Sequence, residues 1–290
     1  MEFGHICTAM VTPFDARGNI DKEKTKHLID YLIANGSDSL VIAGTTGESP
    51  TLSTKEKLEF FQFVTNYVNN RVAVIAGTGS NNTLASTNLT KKATSLGVDG
   101  IMVVAPYYNK PSQSGMIAHM KEVAASTTLP VMLYNVPGRT MVNMTAETVV
   151  ELSKVPNIVA LKEASGDLEQ MATIIQKTAD DFYVYSGDDS LTLPSMAIGS
   201  CGVVSVASHI IGKEMQEMIQ LFLKGDVKKA AATHRQLLPL MKGVFLAPNP
   251  TCVKYALSVL KGIDVGEVRM PLLPLTTSEK KQIEQIMYHI

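Results

Sequence analysis

The sequence is short of the features that define several large protein classes. Its three cysteines, Cys7, Cys201 and Cys252, are odd in number and far apart. Neither a disulfide framework nor a CxxC metal site is expected from them. The six histidines, His5, His27, His119, His209, His234 and His289, form no HxH or HExxH pair, which argues against a metal centre. No GxSxG marks a serine hydrolase. Gly77-Thr78-Gly79 follows an apolar run, but the full GxGxxG of a dinucleotide site is missing. A net charge of −1 gives no reason to expect a nucleic-acid or anionic-membrane partner. No apolar stretch approaches a membrane span, and MEFGHICTAMVTPFD lacks the order of a secretory leader. These absences point to a reducing compartment, the cytoplasm.

What the chain does have is an apolar supply and a rhythm. With 45% hydrophobic and 18% charged residues it can build a large core. Short apolar runs recur: HICTAMVTPF, SLVIAGTTG, VAVIAGTGS, GIMVVAPYY, PVMLYNVPG, NIVALKEAS, FYVYSGDD and CGVVSVAS. A helix-like segment follows each, a spacing that suits βα units. Ser53-Thr54-Lys55-Glu56 has the form of a capping box, and Asp21 and Thr145 are candidate N-caps. Gly36 and Gly97 stand where left-handed C-terminal caps are wanted. Strands too apolar for a solvated face predict a closed (β/α)₈ barrel over 1–225, with an open doubly wound sheet as the alternative. From 226 to 290 only helical patterns remain, broken at Pro248 and Pro250, so a helical C-terminal extension is expected.

The strand ends are polar, and in such a barrel the C-terminal strand ends carry the site. By alternation Ile158, Ala160 and Lys162 share one face, Met132 and Tyr134 another, and Val41, Ala43 and Thr45 a third. If those faces point inward, Lys162, Tyr134 and Thr45 converge. A lysine ending an apolar strand loses hydration, which favours the neutral, nucleophilic amine. Such an amine forms a Schiff base with a carbonyl compound, and a neighbouring tyrosine can move the protons. The bland alternative is that Lys162 reaches solvent or pairs with Glu163 or Asp167. GTTGES offers backbone N–H groups to an anion, or is an ordinary turn. Asp188-Asp189 suits a helix N-cap better than a cation site. Methionines such as Met215 and Met218 suit core filling.

GTTGESPTL, IAGTGSN, PYYNKPSQ, YNVPGRT, ALKEASGD and YSGDD, in this order, resemble the dihydrodipicolinate synthase family of Schiff-base aldolases. The resemblance covers essentially the whole chain. It implies condensation of pyruvate with L-aspartate 4-semialdehyde on the route to diaminopimelate and lysine, without cofactor or metal, in a homotetramer of tight dimers. It implies Lys162 as the Schiff-base lysine and Tyr134 as the acid/base. It also implies Thr45 as the link to Tyr108, which enters from the neighbouring subunit. Thr46 would hold the pyruvate carboxylate and Arg139 the aldehyde's carboxylate, while Gly187 and Val204 would line the pocket through their backbones. N-acetylneuraminate lyase and the 2-keto-3-deoxy sugar-acid aldolases share the lysine and tyrosine; Arg139 and the second threonine of GTTGE favour the synthase. A non-catalytic keto-acid-binding barrel is the alternative from another class. The family's lysine-inhibited members bind lysine in a cleft whose equivalents here are Ser49, Pro50, Thr54, Lys57, Asn81, Ala85 and Tyr107. Thr54 and Lys57 replace histidines of that pattern and Ala85 a glutamate, so insensitivity to lysine is expected.

Overall fold

The computed structural model describes residues 3–287. His289 and the end of the SEKKQIEQIMYHI segment lie outside them. Strands and helices alternate: β1 (Ile6–Ala9), α1 (Lys22–Ala34), β2 (Ser39–Ile42), α2 (Thr54–Val68), β3 (Ala73–Gly77), α3 (Thr83–Thr94), β4 (Gly100–Val104) and α4 (Gln113–Ala124). The second half continues with β5 (Val131–Asn135), α5 (Pro137–Thr140), α6 (Ala146–Leu152), β6 (Ile158–Glu163), α7 (Leu168–Lys177), β7 (Tyr183–Ser186), α8 (Thr192–Ala197), β8 (Gly202–Ser205) and α9 (Ser208–Leu223). The eight strands are parallel and close into a barrel, β1 pairing with both β2 and β8. Helices on the outside and side chains within bury both faces of each strand, which is why the runs read as continuously apolar.

The local signals act as their chemistry requires. Asp21 accepts from the N–H groups of Glu23 and Lys24, and Thr145 from that of Thr148. Ser53 and Glu56 form a reciprocal capping box. Gly36 and Gly97 have φ of +93° and +80° just beyond helix ends, where a Cβ would be strained. Asp188 caps the short turn after β7 by accepting from Ser190.

Beyond the barrel come α10 (Val227–Gly243), α11 (Thr251–Lys261) and α12 (Thr277–Met287). Buried Ala230, Leu237, Leu240 and Met241 mark the packed side of α10, which lies against α9. The segment between α10 and α11 holds Pro248 and Pro250 and passes over the C-terminal mouth of the barrel, where Phe245 and Asn249 face a cavity.

Candidate active site

Strand register brings the lysine and tyrosine together. Val131 of β5 pairs with Ile158 of β6, but the next pair is Met132 with Ala160. The irregularity skips Val159 and shifts everything above it by one residue, so Tyr134 pairs with Lys162 rather than with Leu161. Paired residues of parallel strands face the same side. Lys162 Nζ therefore lies 4.2 Å from the centre of the Tyr134 ring. Each residue is 5% exposed. Lys162 neither reaches solvent nor, among the described residues, pairs with a carboxylate.

Glu163 and Asp167, the acids nearest in sequence, are engaged elsewhere. Asp167 caps α7 through the N–H of Gln170. Glu163 is one residue past Lys162, faces outward from the barrel and is buried. Its oxygens accept from Asn135 Nδ2 at 3.0 Å, Ser165 N at 2.8 Å and Gln170 Nε2 at 3.1 Å. Asn135 Oδ1 accepts in turn from Met144 N at 3.0 Å, and its Nδ2 donates to Asn143 Oδ1 at 2.7 Å. Burial pushes the Glu163 carboxyl above its usual range, and the donors around it pull the other way. The residues after Tyr134 and Lys162 thus lock the two strand ends together and anchor the Val136–Met144 segment that carries Arg139. Nothing in the alternating pattern separated Asn135 and Glu163 from ordinary polar strand ends.

A cavity of about 470 Å³ opens above Lys162. Thr45, Thr46, Tyr134, Arg139, Lys162 and Gly187 all line it. Thr45 arrives there by a route that strand alternation does not describe. β2 stops at Ile42, and Ala43 turns into the left-handed region at φ +50°, so the expected face of Val41, Ala43 and Thr45 does not exist as a strand face. Gly187 is there for space: a Cβ would stand 2.5 Å from Ala164 Cβ and 3.2 Å from Lys162 Cε. The place of Val204 is set by strand pairing. It lies within β8 opposite Cys7, and Val206, two residues further, lines the cavity. The N–H groups of Val206 and Ala207 each donate to Asp189 Oδ2 at 3.0 Å, and the Ser205 hydroxyl donates to its other oxygen. Asp189, fully buried and pushed up in pKa by that burial, fixes the loop after β8. Asn249 was not anticipated at all: its Nδ2 donates to Thr46 Oγ1 at 2.9 Å from the helical extension.

Tyr108 does not join its own chain's cavity. It has φ +73° and is 88% exposed, held away from the barrel mouth. A second cavity, of about 290 Å³, shares Thr45, Tyr134 and Arg139 with the first. Ser49, Pro50, Lys57 and Tyr107 line it; Thr54, Asn81 and Ala85 do not. No carboxylate lines it, and burial pulls the Lys57 ammonium below its usual pKa. Among the described residues, no three metal-ligating side chains come together and no helix is long and apolar enough to cross a membrane.

The model of the dihydrodipicolinate synthetase family matches residues 2–290. The chain belongs to that family. It is 62% identical over 284 residues to 4-hydroxy-tetrahydrodipicolinate synthase 2 of Halalkalibacterium halodurans, covering 98% of this chain and 97% of that one. A solved dihydrodipicolinate synthase from Bacillus anthracis superposes with a TM-score of 0.99 at 59% identity, covering 100% of this chain and 99% of that one. The enzyme from Cyanidioschyzon merolae, solved with lysine bound, superposes with a TM-score of 0.97 at 48% identity, covering 99% and 98% of the two chains. The closed barrel expected from the sequence is thus the fold of the family.

Proposed function

We propose that this chain condenses pyruvate with L-aspartate 4-semialdehyde to 4-hydroxy-tetrahydrodipicolinate, the first committed step toward diaminopimelate and lysine, with Lys162 as the Schiff-base residue. The observation that carries the assignment of Lys162 is a buried amine set against a tyrosine ring and left without a carboxylate partner. The Lys162 amine attacks C2 of pyruvate, and water leaves to give an iminium. The iminium is the electron sink: it draws off a C3 proton and leaves an enamine. The enamine carbon attacks the aldehyde carbon, whose oxygen takes up a proton to become the hydroxyl. The amino group of the former aldehyde then attacks C2 and expels Lys162, closing the ring. The sequence needs no organic cofactor.

Each remaining residue follows from its chemistry. Tyr134, beside the amine, carries protons to and from the reacting oxygen and carbon. Thr45 links it to Tyr108 of a neighbouring subunit, because the exposed Tyr108 is presented outward. Thr46 receives the pyruvate carboxylate. The Arg139 guanidinium forks onto the carboxylate of the aldehyde, a recognition that neutral side chains do not imitate. Gly187 and Val204 contribute backbone to the pocket, the latter through the loop that continues to Val206. The enzyme works in the cytoplasm as a homotetramer of two tight dimers, the barrel (1–225) bearing the chemistry and the extension (226–290) closing its mouth. The test is borohydride reduction in the presence of pyruvate, followed by peptide mass spectrometry. One pyruvyl group on Lys162 is expected; a label on another lysine, or none, overturns the assignment.

A further inference from the structure

The turn after β2 is held by residues two hundred positions away. Glu48 closes it in the left-handed region at φ +56°, a conformation that costs free energy for any residue with a Cβ. Its side chain is almost wholly buried, and Oε1 meets Lys254 Nζ of α11 at 2.7 Å. Its Oε2 accepts the backbone N–H of Arg269 at 2.8 Å. Lys254 also donates to the Glu267 carbonyl at 3.0 Å and lies 4.2 Å over the Phe14 ring. The Arg269 guanidinium donates to Thr51 O at 2.8 Å and lies over the same Phe14 ring, 4.4 Å from its centre. Asn249 donates to the Thr46 hydroxyl. The helical extension therefore grips the turn at positions 46, 48 and 51.

A buried ion pair is an inefficient way to stabilise a fold, since apolar residues of equal volume often do as well. Its distinctive property is that it fixes one geometry. The β2 strand is already paired on both sides, so the clasp is not needed to close the barrel. What it fixes is the segment that carries Thr45 and Thr46 into the cavity. The Asn249 contact adds a chemical direction. By accepting from Asn249, the Thr46 oxygen leaves its own proton free to be donated to an anion.

We propose that Glu48 and Lys254 are positioning residues for the reaction, and that Asn249 orients Thr46 as a donor to the substrate carboxylate. The proposal rests on the role given to Thr46 above. Steady-state kinetics and pyruvate-dependent borohydride labelling of the intact protein test it, with thermal melts to verify folding. Losing a hydrogen bond to a charged group predicts about a 10- to 100-fold rise in KM for pyruvate in Glu48→Gln and Lys254→Met, with kcat changed by no more than about threefold. Asn249→Asp should be worse than Asn249→Ala, because a carboxylate takes the Thr46 proton and repels the substrate. Either single charge deletion leaves a buried group unpaired and can prevent folding. The double variant Glu48→Gln/Lys254→Met removes both charges; it should fold and keep the raised KM. If the wild type takes no pyruvyl label, the functional assignment is what fails. If the wild type is labelled, and the folded double variant and Asn249→Asp bind pyruvate normally, Glu48, Lys254 and Asn249 are structural only and the proposal is overturned.

Discussion

Two lysines in this molecule are nearly indistinguishable by burial. Lys162 is 5% exposed and Lys254 3%, and each ammonium lies 4.2 Å from the centre of an aromatic ring. They differ in what else is near. Lys254 has the Glu48 carboxylate at 2.7 Å and the Glu267 carbonyl at 3.0 Å. Burial pulls its pKa down and the Glu48 charge pulls it back. Lys162 has a tyrosine and an open cavity. Burial alone therefore does not make a nucleophile. The Lys254 ammonium is held by a carboxylate and a carbonyl, while the Lys162 amine faces a space that a carbonyl compound can enter.

The largest effect that would break this contrast is on turnover. Lys162→Ala should lower kcat by on the order of 10³-fold or more, the scale set by loss of a covalent nucleophile. Retention of most activity would make the two lysines equivalent after all. Stability should run the opposite way. Lys254→Met strands the Glu48 carboxylate and should cost about 3–5 kcal/mol in denaturant unfolding. Lys162→Met removes a desolvated amine and should leave stability unchanged or raised, as relief of an active-site compromise does. A smaller effect is expected at Arg139. Arg139→Leu should keep pyruvate labelling of Lys162 and weaken use of the aldehyde by about 2–5 kcal/mol in kcat/KM; unchanged kinetics would remove Arg139 from the substrate site.

Tyr108 sharpens the comparison at the level of subunits. Mixed assemblies of inactive Tyr108→Phe and inactive Lys162→Ala chains should recover part of the activity, because one site then receives both intact residues. Confirmed hybrids with no activity would confine each site to one chain. The smallest effect concerns a third, half-buried amine, Lys57. Its cavity has no carboxylate to balance a ligand with two ammonium groups. A like charge at ~4 Å and an effective dielectric near 20 opposes such a ligand by about 4 kcal/mol before relaxation and salt. Free lysine should therefore not inhibit at saturating pyruvate. Half-inhibition below about 1 mM, roughly −4 kcal/mol of binding, would show that Lys57 turns away and the cleft still works.

The barrel was legible because a buried parallel strand leaves a plain mark: a short apolar run with a capped helix after it. Lys162 was legible because a charge ending such a run contradicts its surroundings. Tyr134 was found by alternation, but its exact partnering depends on the skipped Val159, which no apolar pattern records. Thr45 was found although the strand meant to carry it ends three residues earlier. Val206, two residues beyond Val204, reaches the cavity because the loop after β8 is held by Asp189 from another unit. Asn249, Glu48 and Lys254 could not be paired in advance. Contacts between distant segments carry no period, and a lone glutamate or lysine reads as surface until a counter-ion is seen across the fold.

The Glu48–Lys254 clasp also sets an order of events during synthesis. At about 5–20 residues per second, the roughly 200 residues between the two partners take about 10–40 s to be made. For that interval the strands on either side of the turn can begin to pair while Glu48 has no counter-ion to be buried with. The turn that receives the substrate is then among the last parts of the site to settle, because its partner is encoded near the far end of the message. A nascent chain interrupted before α11 would carry Lys162, Tyr134 and Thr46 but not the Lys254 ammonium that fixes the turn.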